Sequence, residues 1–181
     1  WRRCSRRPSP AGIHISRMND SSVFADAEMI ALLVESLKST GLNDFQISIG
    51  DADFYKGICE EAGIDADTEE QIREYITEKN YYAAENILSE RGVSEKHTKL
   101  IVNVAEFIGS DEALDMAQSK VTNKRSLDAV NRLKELYKVL TYYGVEKYIS
   151  FDLGNLSKFN YYTGVIFSAY TYGVGDAIAK G

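Results

Sequence analysis

Both prolines of this chain, Pro8 and Pro10, fall within its first ten residues, and none follows before the last residue, Gly181. Proline removes a backbone donor and clashes with the preceding helical turn, so every later segment is free to run as a long helix or a central strand. Hydrophobic spacing has to decide which.

Over residues 22–40, Phe24, Ala27, Ile30, Ala31, Leu33, Val34 and Leu37 recur at helical spacing, with Ser22 placed to cap the start and Gly41 to end it. Phe45-Gln-Ile-Ser-Ile49 alternates with period two, the mark of a half-buried strand. Gly50 breaks that pattern, and Asp51 or Asp53 caps a helix over about 52–62 that Gly63 closes. From there to residue 144 the reading is helical. Thr68-Glu-Glu-Gln71 has capping-box spacing and opens a helix to about Lys79. Further helices are predicted near 81–90, 94–108, 110–119 and 124–143, the last with Leu127, Val130, Leu133, Leu136, Leu140 and Tyr143 along one face. Strand character returns at Tyr148–Asp152 and at Tyr161–Tyr172, with Asn155–Asn160 as the turn and a hairpin as the shortest connection. Helix, strand, helical block, strand, strand predicts an α+β sheet carrying a helical insertion.

The charge is uneven. Residues 1–17 hold five arginines and no acid, which leaves 16 basic against 27 acidic residues, a net charge of −11, over 18–181. Phosphate backbones repel such a surface, so a nucleic-acid partner is not expected. No apolar run approaches the roughly 18 residues of a membrane helix, and the basic head lacks the apolar segment of a secretion signal. The chain is expected to be cytoplasmic. It begins at Trp1, so a piece of a longer protein is expected, with residues 1–17 expected to be foreign to it.

Most chemical constellations fail on inspection. Two cysteines and two histidines give neither a disulfide framework nor a multi-histidine metal centre. Gly173-Val-Gly175 lacks the third glycine of a dinucleotide loop and the Ser or Thr of a phosphate loop, so it reads as a turn, and no cofactor is expected. Cys59 reads as a packed thiol, His97 as a surface residue, and Glu60-Glu61 and Glu69-Glu70 as solvated helix faces. Tyr81-Tyr82 and Tyr142-Tyr143 read as helix packing. Tyr161-Tyr162 stands at the head of a strand, where neighbours point to opposite faces, so one phenol can face a pocket while the other packs below. An aromatic core strand is the competing reading.

Phe151-Asp-Leu-Gly154 followed by Tyr161-Tyr-Thr-Gly-Val-Ile-Phe167 resembles the histidine-recognition motif of class II histidyl-tRNA synthetases. It is closer to that of their paralogue, the regulatory subunit of ATP phosphoribosyltransferase. Residues 25–32 and 41–50 resemble both families, and 169–181 resembles the regulatory subunit, with the blocks in the same order. The resemblance implies part of a class II synthetase-like antiparallel sheet: a core part at 1–50, a helical insertion at 51–146, and core strands with the histidine motif at 147–181. It also implies L-histidine as effector, with Tyr161, Tyr162 and Thr163 as its ligands, and no catalytic residues. The implied partner is the short-form catalytic subunit, in a hetero-oligomer. The synthetase pattern has a catalytic arginine four residues before the tyrosine pair, where this chain has Ser157. In the head, Pro10 and His14 stand where the families have a glutamine and a glutamate. The alternatives are a histidyl-tRNA synthetase fragment and a helical protein-interaction module.

Overall fold

The computed structural model describes residues 22–154 and 164–181. Helix α1 (Val23–Ser39) buries Ala27, Ile30, Ala31 and Val34, while Phe24 is 67% exposed and lies outside the apolar stripe predicted for it. Strand β1 (Phe45–Asp51) runs without a break through Gly50 and hands directly over to helix α2 (Ala52–Glu61). Of the two candidate caps, Asp51 is the one used: its carboxylate accepts from the Asp53 N–H at 2.9 Å.

Helices α3 (Ala66–Thr77), α4 (Tyr81–Glu90) and α5 (Glu95–Val102) follow. The α3 cap is Asp65, whose carboxylate accepts from the Thr68 N–H at 2.9 Å, so Thr68 lies buried inside the first turn and does not open a capping box. The helix expected over 94–108 stops at Val102. A 3-10 turn, Val104–Glu106, and a two-residue strand β2 (Ile108–Gly109) take up the rest. Helices α6 (Asp111–Lys120) and α7 (Lys124–Tyr142) precede strands β3 (Ile149–Asp152), β4 (Val165–Thr171) and β5 (Ala179–Lys180).

The strands form one sheet in the order β2-β3-β1-β4-β5. β1 lies in the middle, parallel to β3 through Ile47↔Ile149 and antiparallel to β4 through Ile47↔Ala169. The predicted β3–β4 hairpin is therefore not formed, because β1 separates the two strands. A parallel neighbour requires a long crossover, and the helical block between β1 and β3 supplies it.

Phe45, Ile47, Ile49, Ile149, Phe151 and Ala169 mark the apolar face of the sheet, and α1, α2 and α7 join them in one hydrophobic cluster. Leu133, Leu136 and Leu140 of α7 are fully buried there, while Tyr143 is exposed. Tyr137 meets the Phe151 ring edge to face at 5.7 Å. Where α2 crosses α7, the Ser126 hydroxyl donates to the Phe54 carbonyl at 2.7 Å, and a Cβ on Gly57 would lie 2.8 Å from the Ser126 backbone nitrogen. Gly57→Ala should force the helices apart and cost about 1–3 kcal/mol, read by urea denaturation. A loss near zero would mean that the crossing is loose.

Candidate functional site

The two faces of the sheet differ in chemistry. Side chains alternate along a strand, so the residues between the core positions share the opposite face. Register places Ser48 beside Ser150 on one side and Ser168 on the other, with Lys180 next to Ser168. Gln46 and Tyr170 form the adjacent row. On the other side of the serines, Gly50 pairs with Ile166, and a Cβ on Gly50 would lie 2.7 Å from the Asp152 carbonyl oxygen. Ser48 and Ser168 are both 8% exposed. The result is a floor of small hydroxyl side chains, bounded by the Gln46 amide, the Tyr170 phenol and the Lys180 ammonium. Such a surface can hydrogen-bond a small polar molecule lying flat on the sheet.

Tyr161, Tyr162 and Thr163 lie outside the described residues, as do Ser157, Pro10 and His14. Their sequence runs directly into Gly164, which is described. Gly164 has φ +77°, a left-handed conformation suited to glycine, and its carbonyl accepts from the Ala52 N–H at 3.0 Å. The chain therefore enters β4 beside the junction of β1 and α2.

Charged groups converge at that junction. Arg132 of α7 donates to the Asp51 carboxylate at 2.9 Å and stands 3.6 Å from Asp53. Arg125 holds the other Asp53 oxygen through Nε at 3.0 Å and Nη2 at 2.6 Å, and also pairs with Glu60. Burial pushes the Asp51 carboxyl above the usual range, and the Asp53 N–H and the Arg132 charge pull it only partly back. Asp53 is pushed upward by partial burial too, but Arg125 and Arg132 outweigh that and hold it below the usual range.

Several sequence readings change on contact with the structure. Tyr142 is 91% and Tyr82 75% exposed, and Tyr81 and Tyr143 are exposed as well, so neither helical pair is core packing. The buried positions of these two helices are taken by other residues, Ala84 and Leu88 in α4 and Leu133, Leu136 and Leu140 in α7. His97 is half-buried rather than free on the surface. Its Nδ1 lies 2.9 Å from the Ser94 hydroxyl and its Nε2 3.5 Å from Glu61, tying α5 to α2. Glu61 also accepts from Thr122 and Asn123. Glu69 is largely buried beside Arg73 rather than solvated. Cys59 is buried, as the sequence reading has it, and burial pushes its thiol up to about 12, far from a nucleophile's range.

Among the described residues no group of three or more His, Cys, Asp or Glu could hold a metal ion, and no helix is long and apolar enough to cross a membrane. An open groove of about 610 Å³ lies between α6 and α7, lined by Leu114 and Tyr137 among others, but no residue of the serine floor borders it.

The family described as histidyl-tRNA synthetase matches residues 3–181. The ATP phosphoribosyltransferase regulatory subunit of Acetivibrio thermocellus is 37% identical over 171 residues, 94% of this chain but 40% of its own length. The chain thus spans less than half of such relatives. A solved ATP phosphoribosyltransferase regulatory subunit/histidyl-tRNA synthetase from Bacillus halodurans superimposes with TM-score 0.80 at 27% identity, covering 89% of this chain and 42% of that one. A chain of the ATP phosphoribosyltransferase complex from Thermotoga maritima shares the fold, with TM-score 0.69 at 20% identity over 90% of this chain and 57% of its own. With the matched region extending over almost its whole length, the chain belongs to the histidyl-tRNA synthetase family.

Proposed function

We propose that this chain is part of a non-catalytic regulatory subunit that assembles with the short-form catalytic chain of ATP phosphoribosyltransferase and carries its response to histidine. The observation that carries this reading is Ser157, which stands where the synthetase motif has its arginine. Activating an amino acid with ATP builds charge at the α-phosphate, and a fixed cation there accounts for much of the rate. A serine hydroxyl cannot replace it. The regulatory-subunit name of relatives such as that from Acetivibrio thermocellus supports the same choice.

In this reading L-histidine is the effector and lies on the serine floor of the sheet. Tyr161 and Tyr162 offer one phenol to the imidazole, and Thr163 supports the strand. The hydroxyl row suits a small zwitterion that must be held without being activated. The division into core at 1–50 and 147–181 and insertion at 51–146 belongs to the same proposal. No cofactor takes part, and the subunit is cytoplasmic.

The intact protein should show no histidine-dependent exchange between pyrophosphate and ATP, and no charging of histidine tRNA, above the background of a protein-free control. Exchange at a synthetase-like rate would establish the competing reading, a histidyl-tRNA synthetase fragment.

A further inference from the structure

Arg132 belongs to α7, far in sequence from the strands, yet it reaches the point where the chain enters β4. Its Nη1 donates to Asp51 at 2.9 Å, and a Cβ built on Gly164 would lie 3.1 Å from that same nitrogen. The backbone adds a second tie, from the Ala52 N–H to the Gly164 carbonyl. Asp51 is register partner to Val165, so carboxylate, guanidinium and the first residues of β4 meet at one place. Arg125, about two turns earlier on α7, holds Asp53 and leaves its second oxygen toward Arg132. A helix fixed by fully buried Leu133, Leu136 and Leu140 is a rigid mount for such a contact.

We propose that Arg132 is a positioning residue: from α7 it holds the Asp51 carboxylate and stands against Gly164, and so fixes where the chain enters β4 beside the serine floor. This rests on the reading of that floor, with the tyrosine pair, as a histidine site. It adds that the helical segment sets the site's geometry without touching the ligand. Asp51 acts with Arg132 as the other half of the clamp. Asn at 51 keeps the acceptor that caps α2, and Met at 132 keeps the length of the arginine stem, so replacing both removes the clamp without stranding a buried charge.

The test compares the intact wild-type protein with the double variant Asp51→Asn/Arg132→Met, which should melt within about 4 °C of wild type. Amide hydrogen exchange at Gly164, Val165 and Ile166 should accelerate by about tenfold or more, while the amides of Leu133–Leu140 stay within about threefold. Calorimetry with L-histidine should show binding weakened about five- to tenfold. Unchanged exchange at 164–166, or acceleration of the same size throughout α7, overturns the clamp. Faster exchange with unchanged histidine affinity overturns its link to the ligand. If wild type itself binds no histidine, the functional reading and that link fall together, and the exchange comparison still decides whether Arg132 fixes the strand.

Discussion

Phe151→Ala should cost about 3–5 kcal/mol, enough to unfold a marginal domain at physiological temperature. Phe151 is fully buried in β3, paired with Ile49 of β1 and Gly109 of β2, and packed edge to face against Tyr137 of α7. Removing the ring leaves a cavity that strands on both sides and a long helix would have to move together to fill. Phe151→Leu retains most of the apolar volume and should recover more than half of the loss. Urea denaturation of the two variants measures both values. A loss below about 1.5 kcal/mol for the alanine variant would mean that the sheet and α7 are not the joined core described above.

Arg132→Met alone should cost about 3 kcal/mol at neutral pH. That is the low end for stranding one partner of a buried pair, because the Asp51 side chain is fully buried whereas Arg132 is one-third exposed. The loss should shrink on acidification. Burial already raises the Asp51 pKa in the folded protein, so its protonated form is favoured there. The stability this gives is present at low pH and lost as pH rises through the folded pKa. Removing the arginine raises that pKa further, so the variant suffers most at neutral pH and least where Asp51 is protonated in both proteins. Denaturation at about pH 7 and about pH 3, below the ordinary Asp value, separates the cases. An equal loss at both values would show that Arg132 acts by packing, not by charge.

Much of the fold was legible because hydrophobic spacing is local. The apolar stripe of α7, the alternation of β1 and the boundaries of α4 can all be read from neighbouring residues. Strand order cannot, since nothing in Ile149–Asp152 states that its neighbour is β1 rather than β4. The short strands β2 and β5 have only two residues each and leave no periodic signal. The serine floor did leave one. Each of the three longer strands carries a serine between apolar residues, in Ile47-Ser48-Ile49, Ile149-Ser150-Phe151 and Phe167-Ser168-Ala169, and register brings the three side by side. Arg132 had no such signal. It reads as one more basic residue on a charged helix, and only the fold brings it to Asp51. The tyrosine motif was legible through family resemblance and not through physics alone, because an aromatic strand needs no ligand to explain it.

The regulatory role is tested most directly by mixing the intact protein with a short-form ATP phosphoribosyltransferase catalytic chain. Size-exclusion chromatography and phosphoribosyl-transfer rates, with and without L-histidine, would be measured on the mixture. The two proteins should co-elute at micromolar concentration, with a transfer rate that rises on mixing or becomes sensitive to histidine. Separate elution, with a rate indifferent to both the protein and histidine, would contradict it.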